Sequence, residues 1–274
     1  MNKGATNKPY RLGVALSGGG ARGFAHAGAL LAIEEAGLKP DVIAGVSAGS
    51  IVAVLYASGK QPIEVATTFA GCHFRDFTEL SFGKAGFFKI DKFVRFILKA
   101  LGGATRLEDL KIPTYVGATD LDHARPVAFD HGEIGPRIMA SCSIPIIFRP
   151  VKIDGINYVD GGVLRNHPAW ILRDKCDTLI GVNVSPISNQ KEFNSIFEVA
   201  MRTYNLMAKA NQAEDMAICD VSVSMPQIAE YAVFDLKHIK NLFVNGYIST
   251  RAALKKANMW HPAGQAPSLA EIPQ

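Results

Sequence analysis

The sequence predicts an α/β protein, a three-layer α/β/α sandwich with a mainly parallel central sheet. Short apolar runs typical of strands alternate with segments of helical periodicity along the 274 residues. This alternation is characteristic of a parallel sheet covered by helices on both faces. No repeat or low-complexity linker interrupts it. We expect a single domain over residues 1–274, with its core at about 11–184, a C-terminal helical part at 190–260 and a loose tail at 262–274.

The predicted elements follow from the apolar runs and from the residues that bound them. Gly37 and Gly59 are suited to end helices, and Pro62 and Pro168 are suited to begin them. The predicted strands are 11–16, 41–47, 113–119, 126–129, two short strands around the turn at 154–155 of which the second is 156–159, then 178–184 and 220–224. The predicted helices are 24–36, 48–58, one that Pro62 begins, 90–101, 134–142, 168–175, 194–210 and 239–257.

Composition indicates an ordinary globular protein. Hydrophobic residues make up 48% of the chain and charged residues 20%, and no apolar run approaches the roughly 18 residues that span a bilayer. The polar stretch at the N-terminus leads us to expect no secretory signal, and the four scattered cysteines predict neither a zinc site nor disulfides. The net charge of +4 suits transient contact with an anionic membrane and is too small to indicate nucleic acid. We expect a soluble cytoplasmic protein, or one peripheral to the membrane.

A short apolar run leads into a serine flanked by glycines. The sequence Gly45-Val46-Ser47-Ala48-Gly49 follows a predicted strand and precedes a predicted helix. This is the pattern of a nucleophile elbow, in which a tight turn holds the serine hydroxyl clear of the backbone. Ser47 is therefore a candidate nucleophile, with Gly45 and Gly49 supporting the turn. An ordinary serine in a glycine-rich turn is the alternative.

A glycine-rich loop follows the first predicted strand. Gly18, Gly20 and Gly23 match the G-x-G-x-x-G pattern of dinucleotide-binding folds. That pattern requires an acidic residue at the end of the next strand, but here the acid begins that strand and a serine ends it. Backbone N–H groups at such a loop can instead stabilise an oxyanion. Arg22 would add positive charge or hold the loop in shape, and we expect His26 to be structural.

The serine needs a base to accept its proton. None of the seven histidines lies in a convincing late loop, although a Ser47, Asp160 and His167 triad stays open. Asp160 is the better candidate as a direct base, because it ends a strand and because Gly161 and Gly162 permit close approach of another loop. This role requires burial that brings the pKa of the carboxyl nearer to neutral.

Residues 71–103 form a segment rich in phenylalanine. Within it, apolar residues fall on one face of a predicted helix and basic residues lie mainly off that face. The apolar residues are Ile90, Phe93, Val94, Ile97, Leu98 and Leu101. A surface helix packed on the core is one interpretation. The other is a lid that contacts lipid at a membrane surface and opens the site.

Three motifs together resemble the patatin-like phospholipases. They are GGGARGFAHAG at 18–28, GVSAGS at 45–50, and the Asp160-Gly161-Gly162 sequence within YVDGGVLRNHP. The similarity extends to GATD at 117–120 and SCSIPIIFRPV at 141–151, and covers most of the chain from Arg11 to about Asn183. The last third of the chain matches more loosely.

The resemblance implies a patatin-like sandwich with Ser47 as nucleophile and Asp160 as base. It implies an oxyanion hole from the backbone N–H groups of Gly18, Gly19 and Gly20, assisted by Arg22. It also implies chemistry without metal or cofactor, acting on acyl esters of lipids. Many relatives have an asparagine where this chain has His167, which leaves open whether that histidine assists the base.

The expected function is a lipid acyl hydrolase that cleaves phospholipids or lysophospholipids through an acyl-enzyme. Acyl transfer to an alcohol or thiol is the nearest alternative, since only the acceptor differs. A nucleotide-binding regulatory module that uses the loop at 18–23, and a scaffold that retains the motifs for shape, belong to other classes. The expected partner is a lipid ester, with membrane contact through residues 71–103.

Overall fold

The computed structural model describes residues 8–73, 76, 79–83, 86–189 and 192–262. The strands are β1 (Tyr10–Leu16), β2 (Val42–Val46), β3 (Glu79–Gly83), β4 (Gly86–Lys89), β5 (Thr114–Asp120), β6 (Arg125–Phe129), β7 (Val151–Ile153), β8 (Ile156–Asp160), β9 (Cys176–Asn183) and β10 (Val221–Ser224). The helices are α1 (Phe24–Glu35), α2 (Ala48–Ala57), α3 (Pro62–Thr67), α4 (Asp91–Ala100), α5 (Ile134–Cys142), α6 (Ala169–Leu172), α7 (Ile196–Ala210), α8 (Ala213–Ala217) and α9 (Ile239–Lys256).

The central sheet has the strand order β10-β9-β1-β2-β5-β8-β7, and β6 also pairs with β5. The first five strands in this order run parallel, while β6, β7 and β8 join as antiparallel strands. Helices cover both faces, so the predicted α/β/α class is confirmed. A separate two-stranded sheet of β3 and β4 lies within the phenylalanine-rich segment, where no strand was predicted.

Strand β2, which leads into Ser47, and strand β8, which ends in Asp160, pair with the same edge of β5. In the register of the sheet, Val46 at the end of β2 lies opposite Gly117, and Asp160 at the end of β8 lies opposite Ala118. Strand β6 pairs with the same part of β5, so β2 and β8 must share the other edge in series. Because β8 runs antiparallel to β5, its last residue arrives where β2 ends. The residue after Val46 is Ser47, and the topology thus places it beside Asp160.

Alternate side chains of the parallel strands divide between the two faces of the sheet. Val14, Leu16 and Ile43 belong to the large core under α1, α2 and α9, whereas Ala15 and Val42 belong to a smaller cluster with α6. Nearly continuous apolar sequence in β1 and β2 is expected for strands buried on both faces.

Helices α1 and α9 cross at unusually close range. A β-carbon on Gly28 would lie 1.9 Å from the Phe243 carbonyl oxygen, and one on Gly246 would lie 1.9 Å from the Ala25 carbonyl oxygen. Only glycine permits this approach. The C-terminal helix is thereby fixed against the helix that follows the glycine-rich loop.

The observed boundaries of some elements differ from the predicted ones. The helix predicted at 168–175 is limited to α6, and the predicted helix at 90–101 corresponds to α4. Phe74, Phe77 and residues 263–274 lie outside the described residues. None of the described helices combines the length and apolar character needed to cross a membrane.

Candidate active site

Ser47 lies at a sharp turn between β2 and α2. Its backbone has φ 51° and ψ −123°, in the left-handed half of φ that non-glycine residues rarely adopt. A β-carbon on Gly45 would lie 2.3 Å from the Gly49 backbone, and one on Gly49 would lie 2.2 Å from the Leu16 carbonyl oxygen. Both flanking glycines are therefore required by close backbone contact, and the turn has the geometry of a nucleophile elbow.

Two other serines hold this turn, and the sequence motifs assigned neither a role. The Ser47 N–H donates to the Ser141 hydroxyl oxygen at 2.8 Å, and that hydroxyl donates to the Gly117 carbonyl at 2.6 Å. The Ser50 hydroxyl donates to the Ser47 carbonyl at 2.6 Å. Strained backbone persists only where its surroundings determine it, and these bonds provide that constraint. Ser50 lies in the elbow motif itself, whereas Ser141 is 94 residues from Ser47 and no local pattern marks it.

Asp160 ends β8 with its carboxylate fully buried. Its Oδ1 accepts the Gly162 N–H at 2.8 Å, whereas Oδ2 has no hydrogen bond of good geometry among the described residues. Burial raises the pKa of this carboxyl to about 6, although the Gly162 N–H and the nearby Ser47 hydroxyl and Tyr204 phenol favour the charged form. A carboxylate with a pKa near neutral is suited to accept a proton.

Glycines surround this carboxylate for steric reasons. A β-carbon on Gly161 would lie 3.0 Å from the Gly117 carbonyl oxygen, and one on Gly162 would lie 2.3 Å from the Tyr204 hydroxyl. The phenol of Tyr204 in α7 therefore reaches the turn that follows β8. Sequence reasoning missed this residue, because its helix lies in the part of the chain that matched the family motifs loosely.

The glycine-rich loop passes directly over the serine. A β-carbon on Gly18 would lie 3.3 Å from the Ser47 β-carbon and 2.4 Å from Asn166 Oδ1. The Gly18 N–H already donates to the Asn166 carbonyl at 3.1 Å, and the Ala21 N–H donates to the Val233 carbonyl at 2.7 Å. Gly18 was expected to contribute to an oxyanion hole, but its N–H is engaged within the protein.

The backbone N–H groups of Gly19 and Gly20 differ from that of Gly18 in their hydrogen bonding. Neither donates to a carbonyl outside its own loop among the described residues, and both glycines line a pocket that Ser47 also lines. Gly20 has φ 58°, and a β-carbon on Gly23 would lie 2.8 Å from the Ala48 β-carbon. Gly23 thus seats the loop against α2.

Arg22 holds a neighbouring segment of backbone. Its Nε, Nη1 and Nη2 donate to the carbonyls of Tyr231, Pro186 and Ala229, each at 2.8 Å. All three nitrogens donate to protein carbonyls, so the arginine fixes the loop. Of the two roles considered for Arg22, the geometry supports holding the loop in shape.

The two buried histidines near the site do not contact the carboxylate through hydrogen bonds. His26 Nε2 lies 2.8 Å from the Ser17 carbonyl oxygen, and burial lowers its pKa to about 4. His167 packs against Gly181, neither of its ring nitrogens has a partner among the described residues, and burial lowers its pKa to about 3. The geometry therefore gives no support to a triad through His167.

Ser47 lines two pockets, one almost wholly apolar and one with both polar and apolar lining residues. The first, here called the apolar pocket, has a volume of about 120 Å³. Its lining includes Phe24, Ile51, Val52, Phe69, Ile90, Phe93, Ile144 and Phe148. The second, here called the polar pocket, has a volume of about 250 Å³. Its lining includes Gly19, Gly20, Asn166, Ser185, Ser188, Arg202, Tyr204, Asn205 and Glu230.

The phenylalanine-rich segment forms part of the apolar pocket. Ile90 and Phe93 line it, and the Phe69 ring contacts the Phe93 and Phe96 rings at centroid distances of 6.2 and 5.6 Å. Val94 and Ile97 of α4 are buried. The apolar face of this helix is therefore packed on the core, as the simpler interpretation predicted, while contact of the segment with lipid stays a prediction.

Comparisons with known proteins agree with this geometry. A family model described as patatin-like phospholipase matches residues 14–173. Lysophospholipase NTE1 of Saccharomyces cerevisiae is 28% identical over 85% of this chain and 16% of its own length. Lysophospholipase nte1 of Aspergillus fumigatus is 32% identical over 57% of this chain and 10% of its own length. The chain thus spans less than a fifth of these relatives.

The fold has a counterpart among solved structures. VipD of Legionella pneumophila superposes with a TM-score of 0.55 at 14% identity, over 94% of this chain and 72% of that one. The family model covers more than half of the sequence. The family assignment therefore rests on that match and not on the structural likeness. The chain belongs to the patatin-like phospholipase family.

Proposed function

We propose that this protein is a lipid acyl hydrolase that cleaves carboxylic ester bonds of phospholipids and lysophospholipids. The observation that carries the proposal is the position of Ser47, which lines both the apolar and the polar pocket. An ester with one apolar and one polar arm would place its carbonyl at that junction. The lysophospholipase names of the relatives support the same substrate class.

The first step is attack of the Ser47 hydroxyl on the ester carbonyl. We assign the role of proton acceptor to Asp160, and the support for it is the burial of this carboxylate at the end of β8, opposite the part of β5 that follows the β2 pairing. The N–H groups of Gly19 and Gly20 stabilise the oxyanion, and the N-terminal dipole of α2, which begins directly after Ser47, adds to this effect. The protonated Asp160 then gives its proton to the departing alcohol.

The second step returns the enzyme to its starting state. Water attacks the acyl-enzyme, Asp160 accepts a proton from that water, and the fatty acid leaves when the Ser47 oxygen is protonated again. The acyl chain occupies the apolar pocket throughout. A different acceptor at this step would convert the hydrolase into an acyltransferase, and the products distinguish the two activities.

The test is product analysis with a matched variant. Wild type and Ser47→Ala are incubated with a mixed phospholipid extract, and lipids are quantified by mass spectrometry. We expect free fatty acid and deacylated lipid to accumulate with wild type only. Equal turnover by Ser47→Ala would refute the assigned nucleophile, and acyl groups recovered mainly on another alcohol or thiol would establish transfer in place of hydrolysis.

A further inference from the structure

The polar pocket contains groups that the proposed hydrolysis does not use. Two of them, Arg202 and Asn205, are on α7 and lie three residues apart. Residues with this spacing are neighbours on one helix face. Both side chains are half-buried, so α7 presents a guanidinium and an amide together to the pocket that Ser47 opens into.

Arg202 is held in place by a hydrogen bond and forms no salt bridge with a carboxylate among the described residues. Its Nη1 donates to the Ser188 carbonyl at 2.9 Å, which fixes the guanidinium on the pocket wall. The arginine–carboxylate salt bridges among the described residues involve Arg106, Arg125, Arg165 and Arg173 instead. An arginine has five N–H donors. One bond to a carbonyl leaves donors for an anion.

The other charged groups of the pocket narrow the choice of ligand. Each guanidinium nitrogen of Arg22 donates to a carbonyl, whereas Arg202 forms one such bond, so Arg202 keeps more of its five donors for a ligand. Glu230 is the single acidic side chain among those residues. A carboxylate here disfavours ligands with two negative charges and tolerates a phosphodiester, which carries one.

We propose that the polar pocket is the head-group subsite of the lipid, in which Arg202 and Asn205 bind the phosphodiester. Guanidinium groups bind phosphate oxygens through two parallel hydrogen bonds, and the Asn205 amide supplies a further donor. The subsite deepens the proposed function and rests on it. Its consequence is preference for a phospholipid over a neutral acylglycerol with the same acyl chain.

The first test compares two substrates that differ in the head group. Values of kcat/KM are measured for a lysophosphatidylcholine and for the monoacylglycerol with the same acyl chain. Arg202→Gln should lower the value for the lysophospholipid about 10- to 100-fold, the range expected for the loss of charge-assisted hydrogen bonds. The monoacylglycerol value should change less than about twofold, since Arg202 takes no part in the chemistry.

Matched variants control for folding. Lys209→Gln removes a charge from an exposed position of the same helix and should leave both substrates unaffected. Asn205→Ala leaves the Arg202 bond to Ser188 in place and should lower only the lysophospholipid value. Equal losses on both substrates, or no loss with either pocket variant, would overturn the subsite.

A binding measurement separates this proposal from the proposed function. Calorimetry with Ser47→Ala and soluble glycerophosphocholine should detect binding that Arg202→Gln, added to that variant, weakens about 10-fold or more. Binding without any wild-type ester hydrolysis would refute the proposed function and retain the subsite. Hydrolysis of both substrates with no head-group binding would refute the subsite and retain the hydrolase.

Discussion

Ser141 fixes the nucleophile turn, because its hydroxyl accepts the Ser47 N–H at 2.8 Å. The same hydroxyl donates to the Gly117 carbonyl, so one buried side chain connects the elbow to β5. The proposed nucleophile is joined to the sheet in this way. Ser141 touches neither pocket and acts through the position of Ser47.

Ser141→Ala should lower both stability and turnover. It leaves a buried N–H and a buried carbonyl without their shared partner, which costs on the order of 1–3 kcal/mol for each unsatisfied group. Thermal unfolding and kcat on a p-nitrophenyl acyl ester measure the two effects. Ser143→Ala is the control, since the Ser143 hydroxyl bonds to the Met139 carbonyl. If Ser143→Ala lowered kcat as much, the elbow assignment for Ser141 would fail.

Ester hydrolysis should depend on pH through Asp160. Burial raises the pKa of this carboxyl to about 6, and only its ionised form can accept the Ser47 proton. We therefore expect kcat/KM to rise through about pH 6 and to level off above it. A stopped assay across pH 4.5–8.5 would show this, and a flat profile between pH 5 and pH 7 would contradict Asp160 as the base.

The Asp160 carboxyl should also make stability depend on pH. Stability should fall with rising pH, whereas activity should rise. Its pKa is 3.8 ordinarily and about 6 in the folded protein, so the native state binds more protons across that window. The free energy of unfolding therefore falls as pH rises from about 4 to 6. Asp160→Asn should be inactive yet more stable than wild type above pH 6, on the order of 1–3 kcal/mol. A less stable variant at pH 8 would argue against the buried charge.

Substitution of Arg22 should show that this residue holds the structure of the loop. Arg22→Lys keeps the charge but replaces three donor nitrogens with one, so it should lower the thermal midpoint nearly as much as Arg22→Gln. Both variants should also lose activity, because the backbone segment that places Val233 in the pocket wall is no longer held. If Arg22→Lys kept wild-type stability and activity while Arg22→Gln lost only kcat, the charge of Arg22 would matter for the oxyanion.

His167 should be dispensable for the chemistry. Its ring nitrogens have no partner among the described residues, and the side chain is fully buried. His167→Leu should keep kcat within about threefold, because the site loses no group that moves a proton. Total loss of activity in a variant with a normal thermal midpoint would instead restore the triad.

The sequence predicted the fold class and the residues of the two motif strands well, for identifiable reasons. Buried parallel strands have continuous apolar sequence, and the tight turn around Ser47 admits only glycine at Gly45 and Gly49. Those constraints act within a few residues of the chain. They are therefore visible as local patterns.

Other features depend on contacts that no local pattern encodes. Ser141, Arg202 and Tyr204 reach the site from α5 and α7 through the packing of the sheet and helices. The roles of Gly18 and Arg22 changed for the same reason, since their partners are Asn166 and carbonyls between 186 and 231. Hydrogen bonds between residues so far apart in the sequence become apparent only in the folded chain.

Covalent labelling with an alkyl fluorophosphonate tests the Ser47–Asp160 dyad most directly. Intact-protein and peptide mass spectrometry should find one adduct on Ser47 in wild type and in His167→Leu, none in Ser47→Ala, and at least about 100-fold slower labelling in Asp160→Asn. Labelling of Ser47→Ala at the wild-type rate, or full-rate labelling of Asp160→Asn, would contradict the dyad.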